Sequence, residues 1–290
     1  MTVIKRFRAW MRRPNKSIIA QYIETFLIVV PIAFIIRTYF YGLYQVPTGS
    51  METTMLVGER FFADKFFILF TPPQRGDIIT FNDPQFPYSD VWYKRLFENY
   101  VWGPSNWTKR VIGIPGDHVR GVIEEGKPVI YVNGQKLDEP FVNKYPLIAI
   151  YRDSAVPWDF RSYDPSVSYE NQPFYSMTEF TVEKAKRILR HYNESNLRQP
   201  YTPISCNGKS VDEFDVQLGD NQYWAMGDNR QGSNDSRYWG PLDGSLIHGI
   251  IKWRLLSIDS TDSWLIFDLF SHPIEFWKRV RWSRFFQRVH

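Results

Sequence analysis

The chain has 290 residues, of which 43% are hydrophobic and 17% aromatic, with a net charge of +4. That length fits one large domain or two small ones and can bury a substantial core. Cys206 is the only cysteine, which excludes an intrachain disulfide, and five scattered histidines offer no structural zinc site.

Basic residues crowd the start. Lys5, Arg6, Arg8, Arg12, Arg13 and Lys16 all precede the first acidic residue, Glu24. A basic arm can bind nucleic acid, but the segment that follows favours a membrane. Residues 18–36 are almost continuously apolar. At 1.5 Å per residue they span about 28 Å, close to the hydrocarbon thickness of a bilayer. Gln21, Glu24 and Thr25 weaken the first turns and Pro31 invites a kink. The preceding positive charge predicts a cytoplasmic N-terminus over residues 1–17, and Tyr39, Phe40, Tyr41 and Tyr44 suit the far interface. The segment is longer than a signal-peptide core, and bulky Arg37-Thr38-Tyr39-Phe40 follows it, so it reads as an uncleaved anchor.

Beyond residue 40 the pattern favours short strands. Arg60 to Leu69 is aromatic-rich, and Asp77 to Phe81 is β-prone. Val119–Val122 and Val129–Val132 flank Glu124-Glu125-Gly126-Lys127-Pro128 as a hairpin, and Asn133-Gly134 is a turn before Gln135-Lys136-Leu137. Residues 138–215, rich in Pro, Tyr, Ser and Asn, read as an inserted subdomain with a helix near Thr181–Tyr192. Ile247–Leu256 is a further strand. Residues 257–290 form an aromatic and basic tail; its part from Trp264 onward either packs on the domain or lies at a lipid interface. The fold class expected is mostly β, an antiparallel domain over 40–256 behind one transmembrane helix.

Two residues suggest chemistry. Ser50 sits in Val46-Pro47-Thr48-Gly49-Ser50-Met51, shortly after the apolar segment. Lys109 opens Lys109-Arg110-Val111-Ile112-Gly113-Ile114-Pro115-Gly116-Asp117. A lysine acts as a general base only when neutral. Burial among apolar neighbours such as Val111, Ile112 and Ile114 can lower its pKa from about 10.4 towards ~7–8. A neutral amine beside a serine hydroxyl can activate it as a nucleophile.

These segments, with Arg75-Gly76-Asp77-Ile78-Ile79-Thr80-Phe81 and the run from Met226 to Pro241, resemble type I signal peptidases in order and rough spacing. The resemblance implies a membrane-bound serine endopeptidase that removes signal peptides from exported preproteins. It implies Ser50 as nucleophile and Lys109 as general base. Thr48 and the Ser50 N–H would bind the oxyanion, and Ser233 would orient the lysine. Gly227, Asp228, Asn229, Asp235 and Arg237 would be structural residues beside the site. Small residues would be selected at the first and third positions before the cut. No metal or organic cofactor and no nucleic acid are implied. The partners implied are preproteins and the lipid bilayer, with the secretion machinery a further candidate. The location implied is the cytoplasmic (inner) membrane, with the catalytic domain on its outer side. An apolar surface near Ser50 would set the site against lipid. One departure is Thr53, where the family usually has proline.

Other chemistries fit less well. No serine is followed three residues later by lysine, as penicillin-binding enzymes require, and there is no Gly-x-Ser-x-Gly around Ser50 and no His-Glu-x-x-His. His118, next to Asp117, suggests a Ser–His–Asp triad, but reads better as a partly exposed structural histidine. A non-catalytic envelope protein is the alternative of another class, and the presence of both Ser50 and Lys109 speaks against it.

Overall fold

Antiparallel pairing organises the chain, in keeping with its short β-prone runs and turn residues. The computed structural model describes residues 17–52, 54–56, 58–100, 103–142, 203–206, 208–258, 265–280 and 282–289. The basic residues ahead of Ser17, the Thr53 departure, the helix expected at Thr181–Tyr192 and most of the 138–215 insertion lie outside these.

Helix α1 runs Ile18–Tyr39, past the expected end at Ile36, so Arg37 falls in its last turn. Ser17 caps it, its Oγ accepting from the Ala20 N–H at 3.3 Å. Its 22 residues are about 33 Å long. With a mean hydropathy of 2.1 and no residue buried against the rest of the protein, α1 is a candidate membrane span. Pro31 lies inside it.

The elements that follow are β1 (Tyr41–Gln45), β2 (Arg60–Asp64), β3 (Ile78–Asn82), α2 (Trp92–Tyr100), β4 (Asn106–Gly113), β5 (His118–Glu124), β6 (Lys127–Val132) and β7 (Gln135–Lys136). After the long gap come β8 (Ser205–Cys206), β9 (Lys209–Ser210), β10 (Phe214–Gln217), β11 (Gln222–Met226), α3 (Ser236–Trp239), β12 (Leu242–Asp243) and β13 (Ile247–Leu256). The tail carries α4 (Leu265–Ser271), α5 (Pro273–Lys278) and β14 (Gln287–Arg288).

The main sheet has the order β1-β2-β13-β3-β4-β11-β12, with β14 beside β13. A smaller sheet, β10-β5-β6-β7, packs next to it, and β8 and β9 form a ribbon. The β5–β6 hairpin is tighter than its sequence suggests. Lys127 and Pro128 belong to β6, leaving Glu125 and Gly126, both at positive φ, as a two-residue turn whose twist suits the strands.

Central strands are buried on both faces, so their sequence does not alternate. In β3, Ile78 packs with Met51, Phe61 and Ile251, while Ile79 packs on the other face with Phe81, Val111 and Ala225. In β4, Val111 joins the Ile79 cluster and Ile112 joins Val119, Ile130 and Trp224. The same alternation sends Lys109 and Arg110 to opposite faces.

The tail packs on the domain. Val289 enters the cluster around Met51, Phe276 and Val280 pack with Ile258, and β14 pairs with β13. Arg284 reaches the fully buried Glu59, donating to its carboxylate at 2.7 Å beside Arg254. Trp277, Trp282 and Phe286 remain exposed. Helix α2, in the β3–β4 connection, has no counterpart in the sequence-based expectation.

Candidate active site

Ser50 is carried by a 3₁₀ turn, Gly49–Met51, that follows β1. Met51 anchors the turn by entering the core, and Asn229 grips it from the other half of the chain. Asn229 Nδ2 donates to the Gly49 carbonyl at 3.0 Å, and its backbone N–H donates to the Ser50 carbonyl at 3.1 Å. Gly227 is held to a hydrogen at Cα. An added Cβ would stand 2.3 Å from Ser233 Oγ and 2.5 Å from the Ser50 carbonyl oxygen.

Lys109 reaches the serine from β4, where it pairs with Ile79 of β3. Its Nζ donates to Ser50 Oγ at 2.9 Å and to the Thr108 carbonyl at 3.1 Å. Trp107, on the same face, holds its ring centroid 5.9 Å from Nζ. Lys109 is buried, and that desolvation brings its pKa down to about 8. The carboxylates of Asp235 and Asp228 oppose the shift and Arg237 adds to it. An amine in this state and position can take a proton from the hydroxyl it now donates to.

The acidic residues are themselves neutralised. Asp228 receives Arg110 in a bidentate pair, Nε to Oδ1 at 2.8 Å and Nη2 to Oδ2 at 2.7 Å, with Thr54 Oγ1 donating at 2.5 Å. Burial alone would raise the carboxyl pKa of Asp235, but the charge of Arg237 and the hydrogen bonds it receives hold it below the usual range. Arg237 bonds Asp235 Oδ1 at 2.8 Å and Asp212 at 2.8 Å, and the Gly227 N–H donates to Asp235 at 3.0 Å. Arg230, also buried, pairs with Glu139.

Thr48 precedes the turn in extended backbone, exposed, with its hydroxyl not engaged in capping. Ser233 is buried over Gly227. Its Oγ leans towards Asp235 and helps keep it ionised, yet it has no full hydrogen-bond partner among the described residues. The bonds of Lys109 go to Ser50 and Thr108, not to Ser233. His118 lies in β5 of the smaller sheet and pairs with exposed Asp215. A cavity of about 1030 Å³ opens over Ser50 and Lys109, with Thr48, Tyr44, Trp107 and His248 in its walls.

Residues 19–256 match the family model described as signal peptidase, peptidase S26. The chain belongs to that family. Among curated relatives, a signal peptidase I of Buchnera aphidicola is 29% identical over 72% of this chain and 66% of its own length. That of Aquifex aeolicus is 29% identical over 79% of this chain and 80% of its own. One from Rickettsia bellii is 27% identical over 95% and 88%. The chain thus spans about two thirds of the length of the first of these relatives.

Sequence reasoning singled out Ser50 with Lys109 and Asp235 with Arg237, and the structure brings each pair into contact. It missed Arg110, Glu139, Asp212 and Arg230. For Arg110 a signal existed. Two adjacent cations in one strand must face opposite sides, so a second anionic partner was needed beyond the lysine's surroundings.

Proposed function

We propose that the chain is a membrane-anchored serine endopeptidase that cleaves signal peptides from exported preproteins. The observation that carries this reading is the 2.9 Å contact between Ser50 Oγ and the buried Nζ of Lys109, whose pKa is lowered to about 8. Neutral Lys109 takes the Ser50 proton as Oγ attacks the scissile carbonyl carbon. The Ser50 N–H and the Thr48 hydroxyl stabilise the oxyanion, and losing one such donor costs about 10²–10³ in rate. The ammonium of Lys109 then protonates the leaving amine as the C–N bond breaks, leaving an acyl-Ser50. Water attacks that ester, giving its proton to Lys109, which passes it to Ser50 Oγ as the ester C–O bond breaks and the acid product leaves. Ser233 acts on Lys109 through Asp235, whose carboxylate it helps keep ionised beside the amine. Helix α1 crosses the cytoplasmic membrane with the preceding basic residues inside, which puts the catalytic domain on the outer side.

The test is cleavage of a model preprotein with an Ala-x-Ala site in detergent. The wild type is expected to cut there, and Lys109→Met and Ser50→Ala to lose at least about 10³-fold of the rate. Unchanged cutting by either variant discards the dyad, and no cutting by folded wild type across several preproteins discards the peptidase.

A further inference from the structure

The cleft over Ser50 runs the length of β1, and only one end of it holds the dyad. Ser50 lies beyond the close of β1 at Gln45. At the other end the Lys65 N–H donates to the Phe40 carbonyl at 3.1 Å, which sets Lys65 level with the junction of α1 and β1. Arg37, in the last turn of α1, lines the cavity there with Lys65, and Tyr44 lines it between them and Ser50. Tyr41 to Val46 covers about 17 Å of extended chain, so a peptide lying beside β1 places about five residues in the cleft.

The far end carries positive charge with no answer. The buried cations Arg110, Arg230, Arg237 and Arg254 each meet a carboxylate. Among the described residues none forms an ion pair with half-buried Lys65 or exposed Arg37. Asp64 directs its Oδ1 to the Phe66 and Phe67 N–H groups, both at 3.0 Å, and Glu98, also in the cavity wall, accepts from the Ser89 N–H at 2.9 Å.

Lys65 Nζ lies 5.7 Å from the centre of the Tyr44 ring, and Tyr44 Oη is 3.1 Å from His248 Nδ1. Burial pushes the Tyr44 phenol up to about 12 and brings His248 down to about 3, the charge of Lys65 adding to the second shift, so this wall supplies no anion. Partial burial holds the Lys65 amine below its usual pKa, and the like charge of Arg37 pushes the same way. A carboxylate in the cleft would relieve both. On the peptidase reading the direction of the substrate follows. The apolar segment of a signal peptide lies in the bilayer with α1, and small residues mark the cut. The residues between the two pass from the end of α1 to Ser50, along the wall that carries Arg37 and Lys65.

We propose that Lys65, seconded by Arg37, is a specificity determinant that favours preproteins with an aspartate or glutamate about four to six residues before the cut. This rests on the anchored-peptidase reading. The test uses the full chain in neutral detergent and soluble peptides with one Ala-x-Ala cut. They carry aspartate, alanine or lysine at the fourth, fifth or sixth residue before it. At one or more of these positions kcat/KM is expected to be about tenfold higher for aspartate than for lysine, and the ratio to shrink as salt rises. Lys65→Glu should invert the order, and Lys65→Met should narrow the ratio. Wild-type ratios within about twofold at all three positions overturn the proposal, as does a preference for aspartate that survives undiminished in both variants. A preference that vanishes when phosphatidylglycerol vesicles replace the detergent assigns the cations to lipid headgroups and also overturns it. Binding of the same peptides to Ser50→Ala, read by fluorescence anisotropy, separates recognition from reaction. No cutting by the wild type discards the peptidase reading, while the order of affinities still decides the role of Lys65.

Discussion

In the proposed mechanism Lys109 joins two demands that normally conflict: a side chain that must reach Ser50 and a charge that must be absent when it does. Burial meets the second, and with a pKa of about 8 roughly one molecule in ten carries the neutral amine at pH 7. Because the reactive form is the deprotonated one, kcat/KM for a soluble peptide should rise tenfold per pH unit below about 8 and level off above it. A flat profile from pH 6 to 9 removes the lysine from the base role. Gly227 tests the geometry. Gly227→Ala puts a methyl against the Ser50 carbonyl and Ser233 Oγ. A shift of the nucleophile by a fraction of an ångström should cost about 10²-fold in kcat with little change in KM. Ser50 and Lys109 were legible in the sequence because each opens or sits in a recognisable string. The grip of Asn229 on the Ser50 turn was not, since backbone hydrogen bonds between residues so distant in sequence leave no local pattern.

The elements divide by how they use their faces. The Ile247–Leu256 strand was readable to its ends because Ile247, Ile250, Ile251 and Trp253, all β-prone, recur through a stretch bounded by turn signals. Helix α2 was not, for nine residues give barely two turns of periodicity and its apolar side looks away from the core. The tail was ambiguous because its mixture of aromatic and basic residues fits lipid and protein alike. Its decisive contact is a charge. Burial would raise the pKa of Glu59, but Arg284 and Arg254, with Ser257 Oγ donating at 2.7 Å, hold it low. Both arginines also donate to the Thr54 carbonyl, just past the Ser50 turn. Glu59→Gln would take the Glu59 carboxylate away from two largely buried guanidinium groups. It should destabilise the fold by about 3–5 kcal/mol, read as a lower denaturant midpoint. In the wild type a carboxylate with a lowered pKa stabilises above its unfolded value of 4.5, and that share is lost as pH falls below it.

At the scale of the molecule, helix α1 and the sheet that carries Ser50 and Lys109 are separable. No residue of α1 is buried against the rest, whereas Ser50 and Lys109 are fixed by the main sheet. A chain lacking residues 1–36 should therefore cleave a soluble peptide within about threefold of the full protein in detergent. Its processing of membrane-embedded preproteins should fall much further. A comparable loss on both substrates would mean that α1 shapes the site. The antiparallel class could be read from turn spacing, but not the strand order, because β13 pairs with partners made far earlier in the chain.

That order has a consequence in time. Ser50 and Lys109 have both been synthesised once residue 109 is made, yet neither is fixed then. The residue that clasps the Ser50 turn is Asn229, and the strand that joins β2 to β3, and so the serine's side of the sheet to the lysine's, is β13. A nascent chain halted short of Ile247 holds Ser50 and Lys109 but lacks the strand that joins their two sides of the sheet. On the proposed mechanism competence would then arrive late, so that an unfinished chain would be inert towards its neighbours and towards its own helix α1.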